Sequence, residues 1–234
     1  MKNIAVIPAR SGSRSLKDKN VRPLAGKPLM AHSIETAFAS GAFDTVHVST
    51  DSPKYAEIAR KYGADVPFLR SKETSSDTAT SWSTVLEVLD NYEQRGKTFD
   101  TVMLLQPTSP LRRPEDIVHA YQLMKKKGAS AIVSVCEVDH SPLWCNTLPE
   151  NGCMDGFLRP EALERRQSLQ PYYRLNGAVY LLSVKRLQEQ RKLVYDGDCY
   201  AYVMPQERSI DIDDLRDFLI AEMLMNDPIQ QGGA

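Results

Sequence analysis

Long apolar runs are absent from this chain. No stretch of its 234 residues approaches the roughly 18 consecutive apolar residues of a membrane span. The first residues lead directly into a strand pattern, without the positive and apolar segments of a secretory leader. The four cysteines form no C-x-x-C pair, and a chain of this size needs no disulfide framework. We therefore expect a cytoplasmic protein with reduced cysteines and no membrane contact.

The chain also has little net charge. Its 29 basic and 30 acidic residues give a formal net charge of −1, so no global basic field exists and we expect no nucleic-acid partner. No G-x-G-x-x-G follows the first predicted strand, which argues against a nicotinamide-dependent oxidoreductase. A composition of 42% hydrophobic and 25% charged residues suits a full core. We predict one domain over residues 1–226 and a frayed tail at 227–234.

Short apolar runs alternate with amphipathic segments along most of the chain. The runs predict strands at 4–8, 45–50, 66–69, 101–106, 131–135, 177–182 and 200–204, and the amphipathic segments predict helices at about 28–40, 53–62, 79–95, 114–127 and 213–226. This alternation predicts an α/β fold with a mostly parallel, doubly wound sheet. Between residues 139 and 171 the pattern stops and prolines accumulate, so we interpret that segment as an insertion.

A small, basic loop containing a glycine follows the first predicted strand. Ala9, Ser11, Gly12 and Ser13 leave backbone N–H groups uncovered, and four cations occur within ten residues: Arg10, Arg14, Lys17 and Lys19. Both features suit a polyphosphate. A solvated basic loop is the alternative interpretation.

Polar clusters also follow other predicted strands, and ligands of such sheets bind beyond the carboxyl ends of the strands. In the 209–213 segment, Asp211 and Asp213 alternate with Ile210 and Ile212, so an extended backbone would put both carboxylates on one face. Two hard oxygen ligands suit Mg²⁺ or Mn²⁺. An exposed strand with an acidic helix start is the alternative.

The segment Ser75–Ser81 precedes an amphipathic helix. One interpretation is a helix N-cap formed by Asp77 or Thr78. The other is a nucleotide site, in which Arg70 and the exposed N–H groups of the helix start hold the ligand.

Eight motifs occur in order and resemble those of the acylneuraminate cytidylyltransferases, the CMP-sialic acid synthetases. They are I-P-A-R-S-G-S-R-S-L-K-D-K-N at 7–20, G-K-P-L at 26–29, S-T-D at 49–51, L-R with S-D-T-A at 69–79, L-L-Q-P-T-S-P-L-R at 104–112, R-Q-x-L at 166–169, R-L-N-G-A-V-Y at 174–180 and S-I-D-I-D at 209–213. The resemblance spans about residues 3–224 and implies a Rossmann-like nucleotidyltransferase fold. It also implies a reaction in which CTP and Mg²⁺ activate a nine-carbon 2-keto sugar acid and release pyrophosphate.

The resemblance implies roles for individual residues. Arg10, Lys19 and Asp211 would be catalytic, Asp211 and Asp213 would bind the metal, and the insertion at 139–171 would make a homodimer. The nucleotide would contact Ala9, Arg10, Ser13, Arg14, Asn20, Arg70, Ala79 and Ser81. The sugar acid would contact Gln106, Thr108, Arg166, Arg174, Asn176 and Tyr180.

Two departures from the family pattern limit the inference: the first concerns the phosphate loop, where an arginine can still bind phosphate, and the second leaves the acceptor open. Ser13-Arg14-Ser15 stands where many members have S-K-G, and Trp144 stands where some have a lysine. Sialic acid, a legionaminic or pseudaminic relative and an eight-carbon keto sugar acid are the alternative acceptors. A noncatalytic nucleotide-binding module is a further alternative, although it would not need Asp211 and Asp213. The group that removes the anomeric proton also stays open.

Overall fold

A six-stranded sheet forms the centre of the fold. The computed structural model describes residues 1–12, 16–158 and 170–226. Its strands are β1 Asn3–Pro8, β2 Pro23–Leu24, β3 Lys27–Pro28, β4 Thr45–Ser49, β5 Thr101–Leu104, β6 Ala131–Glu137, β7 Tyr173–Ser183 and β8 Cys199–Val203. The central sheet has the order β4-β1-β5-β7-β6-β8, while β2 and β3 form a separate hairpin.

Most pairings in the central sheet are parallel. β1 pairs in parallel with β4 and β5, and β6 pairs in parallel with β8. β7 is antiparallel to both of its neighbours, β5 and β6. The prediction of a mostly parallel sheet is therefore confirmed, and the antiparallel β7 is the addition that the sequence pattern did not predict.

Helices cover both faces of the sheet. They are α1 Leu29–Ala39, α2 Pro53–Lys61, α3 Lys72–Ser75, α4 Ser81–Glu93, α5 Pro114–Lys127, α6 Val184–Gln190 and α7 Leu215–Asn226. In β1, Ala5 and Ile7 pack towards α1, α2 and α5, while Ile4 and Val6 pack towards α4 and α6. This alternation explains why β1 is apolar throughout, since both of its faces are buried.

The termini of α5 follow the predicted signals. Pro114 begins the helix, where its missing N–H leaves no hydrogen bond unmade, and Gly128 ends it with φ +62°. The Asp116 side chain accepts a 2.9 Å hydrogen bond from the backbone N–H of Arg113. The helix therefore begins immediately after the 106–113 segment, which its N-terminus holds in place.

The strand predicted at 66–69 is wrong. Only one isolated bridge forms nearby, between His47 and Asp65. Pro67 has no N–H to donate to a ladder. Val66 is nevertheless buried and Phe68 stacks on His47 at 5.0 Å, so the apolar pattern records packing against β4 without strand pairing.

The predicted insertion is mostly irregular where the structure describes it. Residues 139–158 contain one 3-10 helix at Pro142–Trp144. Leu148, Met154 and Leu158 are exposed. Residues 159–169 and the predicted tail at 227–234 lie outside the described residues, so the domain limits stay a prediction. Among the described helices, none is long and apolar enough to cross a membrane.

Candidate active site

The basic loop is anchored at its first residues. The backbone N–H of Ser11 donates to Asp51 Oδ1 at 2.7 Å, and its hydroxyl donates to Asp51 Oδ2 at 2.8 Å. The Asn20 side chain donates to the carbonyl of Arg10 at 3.0 Å. Asp51 therefore uses both carboxylate oxygens to hold the loop against the end of β4. The sequence indicated a polar cluster at 49–51 but gave no role to Asp51.

Arg10 extends from the loop to the segment before α4. Its Nη1 donates to Asp77 Oδ1 at 2.9 Å and to the carbonyl of Ser75 at 3.3 Å. The N-cap of α4 is Thr80, whose hydroxyl accepts from the N–H of Ser83 at 3.0 Å. The predicted cap at Asp77 or Thr78 is therefore wrong, because Asp77 lies farther from the helix start and pairs with Arg10.

A cavity of about 370 Å³ lies at the carboxyl ends of the parallel strands β1 and β5. It brings together eight residues that were predicted as site residues: Arg10, Lys19, Asn20, Arg70, Ala79, Ser81, Gln106 and Thr108. The predicted Ala9 is buried directly behind it. Ser13, Arg14 and Arg166 lie outside the described residues. The cavity therefore combines a basic wall from the loop after β1 with a polar wall from the turn after β5.

Lys19 joins the basic wall to the acidic segment at 209–213. Although it is a lysine, it is buried, and its Nζ donates to the carbonyl of Ile212 at 2.6 Å. Nζ also lies 3.9 Å from Oδ1 of Asp213, whose side chain is 83% exposed. The ammonium group therefore lies between the expected phosphate site and the expected metal ligands.

Asp211 is a half-buried carboxylate facing the same region. Burial raises its pKa, and the charge of Asp213 adds to that shift, while a hydrogen bond with Thr108 opposes it. Its Oδ1 is buried without a hydrogen-bond partner among the described residues. Ile212 packs in the core beside α7 and Ile210 packs against the same cluster, so the two isoleucines share one side of the segment as predicted. The segment is not a strand.

At its residue Gly177, β7 passes close to the turn that follows β5. A Cβ atom at Gly177 would lie 2.5 Å from Oε1 of Gln106, 3.2 Å from Oγ of Ser109 and 3.5 Å from Oδ2 of Asp211. The residue also has φ +72°, which L side chains rarely adopt. Gly177 therefore permits the close approach of the glutamine and the carboxylate. A glycine inside a strand pattern was the available signal for this contact.

The predicted sugar-acid residues of β7 divide into two groups. Arg174 is exposed at the edge of the site, and its Nη2 donates to the carbonyl of Ser209 at 3.1 Å. Asn176 is 1% exposed, and its carboxamide contacts Ser134 and Ser209 behind the cavity. The ring of Tyr180 packs edge-on against Trp82 with centroids 5.9 Å apart, and burial raises its pKa to about 12.

The fold and the cavity together define a nucleotidyltransferase. Cations from separate segments line a space at the carboxyl ends of parallel strands, and Lys19 connects this space to the acidic segment at 211–213. The chain belongs to the cytidylyltransferase family, whose model matches residues 4–196. Family membership and enzyme class are thus confirmed as the motifs predicted.

Curated relatives align over nearly the whole chain. CMP-N,N'-diacetyllegionaminic acid synthase of Legionella pneumophila is 40% identical over 228 residues, which cover 96% of this chain and 97% of that protein. Pseudaminic acid cytidylyltransferase of Campylobacter jejuni is 32% identical and covers 96% of each chain. N-acylneuraminate cytidylyltransferase of Streptococcus agalactiae is 39% identical, but the alignment covers only 52% of that protein.

Solved structures share the fold. A CMP:2-keto-3-deoxy-manno-octonic acid synthetase complexed with CTP superposes with a TM-score of 0.72 at 18% identity, covering 96% of this chain and 98% of that one. A 4-diphosphocytidyl-2C-methyl-D-erythritol synthase from Anaerococcus prevotii superposes with a TM-score of 0.66 at 12% identity, covering 97% and 99%. The predicted Rossmann-like α/β fold is therefore confirmed.

Proposed function

We propose that this chain transfers CMP from CTP to the anomeric hydroxyl of a nine-carbon 2-keto sugar acid. The anomeric oxygen bonds to the α-phosphorus, the bond to the β-phosphate oxygen breaks, and pyrophosphate and a proton are released. The observation that carries the proposal is the cavity itself, which Arg10, Lys19 and Arg70 line. Lys19 also connects it to the acidic segment through the carbonyl of Ile212. The relatives named for activating such sugar acids support the choice of acceptor.

The cations of the cavity neutralise and position the triphosphate. Arg10 lies two residues after the end of β1, and its carbonyl accepts a hydrogen bond from the Asn20 side chain, so its guanidinium approaches the phosphates from a fixed backbone. Arg70 lines the same cavity from the segment before α3, so it adds a cation on a wall separate from the basic loop. Positioning and charge neutralisation are the main requirements of phosphoryl transfer.

A divalent cation, Mg²⁺ or Mn²⁺, fits the residues at 211–213. Asp211 has an unpartnered buried oxygen and Asp213 is an exposed carboxylate two residues on. No cluster of three or more acidic, histidine or cysteine ligands occurs in the described part of the chain, so two carboxylates would hold the ion. This suits Mg²⁺, which keeps several waters and phosphate oxygens in its shell. Bound there, the ion would stabilise negative charge on the reacting phosphates.

We favour N,N'-diacetyllegionaminic acid as the acceptor. The relative named as the synthase of the CMP derivative of this acid is 40% identical to the chain, and the alignment covers 97% of that relative. Sialic and pseudaminic acids are the other nine-carbon candidates. The eight-carbon alternative has only an 18% identical structural relative behind it. A noncatalytic module is disfavoured, because it would have no need of the half-buried Asp211 and its unpartnered oxygen.

Pyrophosphate release tests the proposed function. Purified protein is incubated with CTP and Mg²⁺ and with each of the four sugar acids in turn. We expect release with at least one nine-carbon acid and the highest kcat/KM with the legionaminic acid. Release with the eight-carbon acid alone would contradict the choice of acceptor, and no release with any of them would contradict the function.

A homodimer through 139–171 is a further part of the proposal. Leu148, Met154 and Leu158 are exposed in this segment, and Tyr173 and Leu175 are exposed on the adjoining β7. An apolar surface of this kind is typical of an interface. Light scattering should give twice the chain mass.

Mixing Arg166→Ala with Asp211→Ala should restore activity if Arg166 acts in the neighbouring subunit's site, and no recovery despite subunit exchange would exclude a shared site. The cytoplasmic location stays a prediction.

A further inference from the structure

Arg112 is a buried guanidinium directly behind the candidate site. Only 2% of the residue is exposed, and no carboxylate of the described residues forms an ion pair with it. Burial lowers its pKa to about 10, so the group keeps its charge at neutral pH. Burying an unpaired charge is costly, and an apolar side chain would fill the same volume without that cost. Packing alone therefore does not explain an arginine at this position.

The guanidinium donates to backbone carbonyls from two different elements. Nη1 donates to the carbonyl of Ala178 on β7 at 2.9 Å and reaches those of Gln106 and Ser109 at 3.4 and 3.5 Å. Nη2 donates to Oγ of Ser33 on α1 at 2.8 Å and to the carbonyl of Gln106 at 3.4 Å. Its planar fork meets these acceptors in several directions, which a single ammonium does not.

These contacts lead to the reacting region. Gln106 and Ser109 bracket Pro107 and Thr108, and the turn they form lines the cavity. The carbonyl of Thr108 accepts a 2.8 Å hydrogen bond from the backbone N–H of Ile212, and the Thr108 side chain is hydrogen-bonded to Asp211. The Arg112 guanidinium therefore fixes the 106–109 turn. Through Thr108, that turn fixes the acidic segment at Asp211 and Ile212.

We propose that Arg112 is a positioning residue for the transfer reaction, fixing the 106–109 turn against β7 and thereby the place of Asp211 relative to the nucleotide. The inference rests on the proposed function, since it concerns turnover of that reaction. Arg10, Lys19 and Arg70 come from other segments and do not contact the Arg112 guanidinium. Loss of the arginine should therefore lower kcat with little effect on the KM for CTP.

Arg112→Lys tests this division. The lysine keeps the charge but does not span β7 and the turn together, so the turn shifts. We expect kcat to fall by about 10²-fold, the effect typical of a misplacement near 1 Å. The KM for CTP should change by less than about threefold, because the nucleotide contacts are retained. Ser33→Ala removes one of the two acceptors of Nη2 and the hydroxyl that donates to the carbonyl of Gln106 at 3.4 Å, and it should lower kcat by a smaller factor.

Arg186→Lys is the matched control. Arg186 is also a nearly buried arginine, and it contacts Ser130, Asp196 and Asp198 at the start of β6 and β8, the opposite end of those strands from the cavity. We expect its kcat to stay within about twofold of wild type even where the melting temperature falls. Equal losses of kcat in Arg112→Lys and Arg186→Lys, or a rise in KM alone, would overturn the proposal.

Amide hydrogen exchange provides a readout that does not require turnover. In Arg112→Lys the amide of Ile212 should exchange faster than in wild type, because its acceptor on Thr108 is no longer fixed. The amide of Ser183, bonded to Ser130 at the far end, should be unchanged. If wild-type protein accepts no sugar acid, the proposed function fails and this exchange measurement alone decides the role of Arg112. Unchanged exchange at Ile212 would overturn it.

Discussion

Replacing Gly177 with alanine should separate activity from stability. The new Cβ would approach Oε1 of Gln106 to 2.5 Å, far inside normal contact distance. This oxygen is the free end of a flexible side chain, so the glutamine rotates and the backbone does not have to move. The carboxamide then leaves the cavity that Gln106 lines.

The two effects have different magnitudes. An alanine held at the φ of +72° costs about 1–2 kcal/mol. For a chain of this length that corresponds to a fall of about 2–8 °C in the melting temperature. The motifs predict that Gln106 contacts the sugar acid, so its displacement by about 1 Å should lower kcat/KM by about 10²-fold. The loss of activity should therefore far exceed what the fraction unfolded at assay temperature explains.

Gly128→Ala is the control for Gly177→Ala. Gly128 has a similar φ of +62° at the end of α5, but no described atom lies within 4 Å of the Cβ it would gain. It should lose about as much stability and keep wild-type turnover. Thermal unfolding and pyrophosphate release on both variants are the assays. Full activity in Gly177→Ala, or equal loss in both variants, would refute the reasoning.

Three further changes test other contacts of the site and core. Asp77→Asn removes the charge that pairs with Arg10, so the KM for CTP should fall by about two- to fivefold in initial-rate assays; an unchanged or higher KM contradicts this. Asp213→Ala should lower turnover by about 10²-fold with little change in melting temperature, because the carboxylate is exposed; wild-type rates would remove it from the metal site. Burial lowers the pKa of His47 to about 3, whereas its unfolded value is about 6.5. Protons therefore favour the unfolded chain as the pH falls below about 6.5, and stability at pH 5 should drop by about 2 kcal/mol from this group. His47→Phe should remove that part of the acid sensitivity in denaturant titrations, and an identical pH dependence would exclude His47 as its source.

The local features of the fold could be predicted from the sequence. β1 and α5 follow from an apolar run, a helix-starting proline and a helix-ending glycine, all of which act over a few residues. The prediction of a strand at 66–69 failed because an apolar pattern indicates burial but does not indicate strand pairing. The direction of β7 depends on contacts with β5 and β6, at 101–104 and 131–137, and no local pattern encodes them.

The candidate site shows the same limit. The cations of the basic loop and the acidic pair are visible in short motifs, and the cavity brings together Arg10 and Lys19 of that loop. The partners of these groups are distant in sequence: Arg10 meets Asp77 across 67 residues, and Lys19 meets Ile212 across 193. Asn176 resembles a ligand-binding residue by motif, but its buried carboxamide holds Ser209.

The central claim is that the anomeric oxygen of a nine-carbon sugar acid bonds to the α-phosphorus of CTP. Phosphorus NMR with acceptor labelled by oxygen-18 at the anomeric hydroxyl tests it most directly. We predict that N,N'-diacetyllegionaminic acid gives a CMP-sugar whose phosphorus signal carries the isotope shift of a bridging label, while the pyrophosphate carries none. A product without the label, label in the pyrophosphate, or no CMP-sugar from any nine-carbon acid would contradict the account.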